Sequence, residues 1–195
     1  MKEIYIILSY SGTLLSKMVK LYTRTKYSHV SISLDKDINI MYSFGRLKAY
    51  NPFIGGFVQE STRFGTFKRF KNAIACIYGM QVTDEQYRKI QLNIQYFKEY
   101  GALYRFNMLG LISVIFNKNL NRDRCFYCAE FVKYLMEKSN VSVDLPCVIK
   151  PEDFTKLPNI RVIYEGRLQD ITNKINKEIV GFKRSNSKEL YPKAM

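Results

Sequence analysis

The segment SHVSISLDKDINIMYSF, residues 28–44, alternates apolar and polar side chains on both sides of an acidic turn. Val30, Ile32 and Leu34 share one side of an extended chain, and His29, Ser31 and Ser33 share the other. Beyond residues 35–37 the alternation resumes with Ile38, Ile40 and Tyr42. A period of two fits a strand with one buried face, and two such strands joined by a short turn pair antiparallel. Their buried faces must coincide, so even-numbered residues oppose even-numbered ones. A three-residue loop at 35–37 then pairs Leu34 with Ile38 and sets His29 opposite Ser43 on the polar face.

The rest of the chain supplies both strands and helices. EIYIIL (residues 3–8) reads as a buried strand, and a helix near 12–23 follows with Leu14, Leu15, Met18, Val19 and Leu21. NPFIGGFVQE reads as a glycine-containing loop entering a strand, and NAIACIYGM (residues 72–80) as another buried strand. Thr83 and Gln86 form a capping-box pattern ahead of a helix whose Tyr87, Ile90, Ile94 and Phe97 make one face. MLGLISVIF is a short apolar helix or buried segment, and a further helix spans about 126–139. Pro151 opens a short helix in CVIKPEDF, and IRVIYEG is a last strand. The sum is a mixed α+β domain over residues 1–170, an antiparallel sheet packed against helices, with a basic tail over 171–195.

Composition narrows the partners. A net charge of +14 favours anionic partners, nucleic acid or anionic lipid among them, without specifying chemistry. No apolar run approaches the roughly 18–20 residues that cross a bilayer. IYIIL is too short for a secretory core, so a cytoplasmic location is expected. The four cysteines, Cys76, Cys125, Cys128 and Cys147, are then expected to be free thiols. With one histidine in the chain and no second paired cluster, a zinc site is disfavoured, and no metal or other cofactor is expected.

In CFYCAEFVKYL, Cys128 falls with Phe131, Val132, Leu135 and Met136 on one helical stripe, within the first turn. A cysteine there is either a small apolar packing residue or a thiol activated by the helix N-terminus. Cys125 lies outside the helix. A nucleophilic thiol needs a base, and His29 is the one histidine available. Ser43, placed beside His29 by the hairpin register, would be a short, neutral residue to orient the ring.

YSHVSISLD, MYSFGR, FYCAEFVKYLM and KPEDF together resemble the circularly permuted papain-like amidases (YiiX-like, within the NlpC-type superfamily) over residues 3–165. In that family the histidine strand precedes the cysteine helix. The resemblance implies a papain-like fold, Cys128 as nucleophile, His29 as general base, and an amide or ester substrate such as a small peptide, peptidoglycan fragment or lipidated molecule. It also implies a glutamate on the strand after the histidine, where this chain has Ser43. The alternatives at this point are a non-catalytic binding module on the same fold and a structural protein with a packing cysteine.

Overall fold

A computed structural model describes residues 1–48, 51–116, 118, 120 and 122–171. It is a mixed α+β structure built on a six-stranded antiparallel sheet. In chain order the strands of that sheet are β1 (Lys2–Tyr10), β2 (His29–Ser33), β3 (Met41–Lys48), β4 (Asn51–Glu60), β5 (Ile74–Val82) and β8 (Ile160–Arg167), arranged β4-β3-β2-β1-β5-β8. Two short strands, β6 (Arg105–Phe106) and β7 (Cys125–Phe126), pair in parallel apart from it. The helices are α1 (Leu14–Thr23), α2 (Gly65–Arg69), α3 (Asp84–Tyr100), α4 (Met108–Ser113) and α5 (Cys128–Lys138). Pro151–Lys156 forms a 3₁₀ helix. Among the described residues no helix is long and apolar enough to cross a membrane.

β1 explains why IYIIL does not alternate. It is central, between β2 and β5, and covered on both faces. Ile4, Ile6 and Leu8 join the larger core with Val30, Ile32 and the buried stripe of α5. Tyr5 and Ile7 join a smaller core with Met41, Phe67, Ala75 and Ile77. Leu168 and Ile171 close this second core, so Ile171, the first residue assigned to the basic tail, is itself buried. Residues 172–195 of that tail lie outside the described residues.

α3 carries the expected capping box: Thr83 Oγ1 accepts from the Gln86 N–H, and Gln86 Oε1 accepts from the Thr83 N–H. Its Phe97 meets the α5 side chain Phe131 at 5.1 Å between ring centroids. Phe44 of β3 lies 5.0 Å from Phe131 and 5.3 Å from Phe126. This aromatic cluster fixes α5 over the sheet, and with it the position of Cys128.

The hairpin differs from expectation in its turn and register. β2 ends at Ser33 and β3 begins at Met41, so the connection is longer than 35–37. Asp35 organises it: Oδ1 accepts from the Asp37 N–H, and Oδ2 accepts from the Asn39 N–H and Nδ2. Ile38 takes a left-handed φ of +51° and is buried in the smaller core, away from Val30 and Ile32. Ile32 pairs with Tyr42, a register that carries His29 across from Gly45 instead of Ser43. NPFIGGFVQE, expected to begin as a loop, is strand throughout.

Candidate active site

The site forms where the first residue of β2 meets the first residue of α5. His29 opens β2 and pairs across the sheet with Ser9 of β1. Its Nε2 lies 3.0 Å from both carboxylate oxygens of Glu60, the last residue of β4. The Cys128 thiol borders the same cleft as the ring and favours its charged form. Since Glu60 occupies Nε2, Nδ1 is the ring nitrogen left to serve sulfur. The imidazole thus stands between a carboxylate and a thiol.

Glu60 is itself held. Ser31, two residues along β2 on the same face, donates to Glu60 Oε2 at 2.6 Å. Arg46 adds positive potential beside it. The Glu60 and His29 side chains are 12% and 21% exposed, enough shielding for their charges to act strongly on each other.

Burial is the largest influence on His29 and opposes its charge. The Glu60 carboxylate, together with the Cys128 thiol and the bond to Glu60, outweighs it and pushes the ring up to about 10. For Glu60, burial again comes first and disfavours ionisation. The His29 charge and bond, the Ser31 hydroxyl and Arg46 overcome it, and the carboxyl is held below its ordinary value.

The sign of the stability effect follows. A raised histidine stabilises the fold fully below its ordinary 6.5, and this contribution disappears as pH rises through about 10. A depressed glutamate stabilises the fold above its ordinary 4.5, and this is lost as pH falls through the folded value. Both contributions are complete between these ordinary values. The difference in melting temperature between the wild type and Glu60→Gln should therefore be largest near pH 5–6 and shrink towards pH 10. Melting curves of both proteins across pH check this, and a difference that grows into the alkaline range would contradict it.

Cys128 begins α5 with 5% of its surface exposed. The preceding Tyr127 is buried, and its hydroxyl donates to the Ile149 carbonyl at 2.9 Å. Its N–H donates to the Glu130 carboxylate at 3.0 Å, and Asn107 Nδ2 donates to the same carboxylate at 3.3 Å. No side chain caps the helix through Tyr127, and the first intrahelical bond runs from the Phe131 N–H to the Tyr127 carbonyl. The N–H groups of the first turn are thereby oriented beside the thiol, where the helix favours negative charge.

The structure brings Cys128 and His29 together and places Ser43 elsewhere. Ser43 is fully buried, and its hydroxyl donates to the Val30 carbonyl at 2.7 Å. The orienting position expected for Ser43 is held by Glu60, which the sequence reading missed. One signal was present: Glu60 is the only acidic residue between Asp37 and Asp84. Cys125 lies in β7, paired with Arg105, and is a free thiol, as are Cys76, Cys128 and Cys147.

His29, Cys128 and Glu60 border a cleft that opens to solvent. Phe44, Phe67, Phe106 and Leu111 form apolar walls, and Gly45 lies under the ring. A Cβ at Gly45 would come to 3.5 Å from His29 Cε1. No family model matches the chain, and no curated protein matches it.

Proposed function

We propose that the chain is a cysteine hydrolase or acyltransferase that acts on an amide or ester bond through Cys128, His29 and Glu60. The observation that carries this reading is the His29 ring, held by the Glu60 carboxylate and sharing one cleft with the Cys128 thiol, which favours its charged form. The order of parts, histidine strand before cysteine helix, also suits the permuted papain-like fold that the sequence resembles.

The chemistry follows from the placement. His29 takes the Cys128 proton, and the resulting imidazolium is stabilised by Glu60. The thiolate attacks the substrate carbonyl carbon. The oxygen that gains the charge is received by N–H groups of the first turn of α5. His29 then gives its proton to the departing amine or alcohol, leaving a thioester on Cys128. Water or another nucleophile, deprotonated by His29, attacks the thioester, and Cys128 recovers its proton as the acyl group leaves. Every transfer uses one ring nitrogen, because Glu60 holds the other in place.

Labelling with a small electrophile distinguishes the cysteines. Cys128→Ser should abolish fast labelling at neutral pH, whereas Cys125→Ser should retain most of it. Equal loss from both would favour a redox pair and count against the proposal. A second reading keeps the fold without the chemistry: the net charge of +14 suits an anionic partner. An affinity for such a partner that falls steeply with salt, in a protein with no fast-labelling cysteine, would favour it.

A further inference from the structure

Two hydroxyls beside the ring have no hydrogen-bond partner among the described residues. Ser9 Oγ and Ser28 Oγ are buried polar atoms without a hydrogen bond, on residues 1% and 7% exposed. Both residues line the same cleft as His29 and Cys128. They also adjoin His29 by construction. Ser9 is its cross-strand partner, Ser28 precedes it in the chain, and the Ser28 N–H donates to the Ser9 carbonyl at 3.0 Å.

The neighbouring hydroxyls are already engaged. Thr13 Oγ1 accepts from the Ser16 N–H and bonds Ser11 Oγ, while Ser16 Oγ donates to the Thr13 carbonyl. Buried polar groups are nearly always paired, so an orphaned pair in a cleft is a departure that a bound molecule would remove. Glu60 is the only acid among the described residues that line the cleft, and it is committed to His29 and Ser31.

Resting on the cysteine-hydrolase reading, we infer that Ser9 and Ser28 form a subsite for a peptide-like amide in the acyl part of the substrate, next to the bond that Cys128 attacks. A peptide unit offers one acceptor and one donor, and each hydroxyl can supply the complement of either. A plain alkyl chain in the same place would shut both hydroxyls away from water with nothing to bond. A site built around hydrogen bonds discriminates strongly against an analogue lacking them. The absence of an uncommitted acid in the lining also disfavours a cationic group there. The acyl donor is thus an N-acylated amino acid or short peptide, in preference to a fatty acyl chain.

Two chloromethyl ketones of equal length test this, one carrying an acetylglycyl group and one a plain alkyl chain. In each, Cys128 sulfur bonds to the methylene carbon and chloride leaves, so the reaction reports occupancy of the acyl side without a known substrate. The wild type should react at least about tenfold faster with the acetylglycyl ketone. The Ser9→Ala/Ser28→Ala double variant should lose most of that preference while its rate with iodoacetamide stays within about twofold of wild type. Its melting temperature should be unchanged or higher, because alanine removes two buried groups that the fold leaves unpaired.

A preference that survives in the double variant, or an alkyl ketone that reacts equally well, overturns the inference. So does a marked fall in melting temperature, which would mean that the hydroxyls serve the fold. Fast, His29-dependent iodoacetamide labelling alongside such a result would leave the cysteine-hydrolase reading standing. Absence of fast labelling at Cys128 would overturn both.

Discussion

Replacing His29 with alanine should slow alkylation of Cys128 by about 10²–10⁴-fold at neutral pH, the range expected when a positioned base is removed. Glu60→Gln should fall between that variant and the wild type, losing about tenfold for each pKa unit that the carboxylate lends the ring. It should also move the upper limb of the alkylation–pH profile to lower pH, because the carboxylate and the bonds that raise His29 to about 10 act against burial. Ser43→Ala should alkylate at close to the wild-type rate, since its hydroxyl serves the Val30 carbonyl and not the ring. The ranking is what the experiment reads. A Ser43→Ala variant as slow as His29→Ala would overturn the assignment of the third role to Glu60. Wild-type rates in both His29→Ala and Glu60→Gln would remove His29 as the base.

Phe44→Ala should cost about 3–5 kcal/mol of folding stability, the usual cost of emptying a buried phenylalanine site. Phe44 has no exposed surface, and its ring lies 5.0 Å from Phe131, 5.3 Å from Phe126 and 5.9 Å from Phe97. Those neighbours sit on α5, on β7 and on α3, so the cavity would open at the joint that positions the Cys128 helix. The same side chain lines the cleft, and its loss should also slow alkylation of Cys128. Phe64→Ala is the control, because Phe64 is 44% exposed and should change stability by only about 0.5 kcal/mol. Denaturant unfolding of both variants checks the pair. Equal small effects would mean that the aromatic cluster does not bear on stability as its burial implies.

Much of the fold was legible because its elements are locally consistent. The capping box at Thr83 and Gln86 marks the start of α3, and the structure places both hydrogen bonds there. The α5 stripe of Cys128, Phe131, Val132, Leu135 and Met136 is buried as its spacing implies. The strand over residues 3–8 sits within β1, and its unbroken apolar run matches a strand covered on both faces. The failures cluster between residues 34 and 60. Ile38 and Ile40 continue an alternation that looks like strand, yet Asp35 folds that stretch into a loop. The glycines of NPFIGGFVQE read as loop, yet they allow close approach within β4. A Cβ at Gly55 would meet the Gly45 carbonyl and the Phe106 side chain at 2.8 Å.

The sequence by itself determined which side chains face together along each element, because helical and strand periods are local properties of the chain. It therefore identified His29 on the polar side of its strand and Cys128 at the front of its helix. Register is different in kind. Matching buried faces fixes pairing only to within steps of two residues, and a two-residue step keeps every side chain on its side. Pairing Ile32 with Tyr42 satisfies that condition as fully as pairing Leu34 with Ile38 does, but it takes Ser43 away from the ring and sets Gly45 there. The third partner was then settled one strand further out, where β4 ends at Glu60, 31 residues beyond His29. No local pattern links two such residues. Only the sheet order β4-β3-β2, with a small glycine on the strand between them, lets the carboxylate reach across to the imidazole.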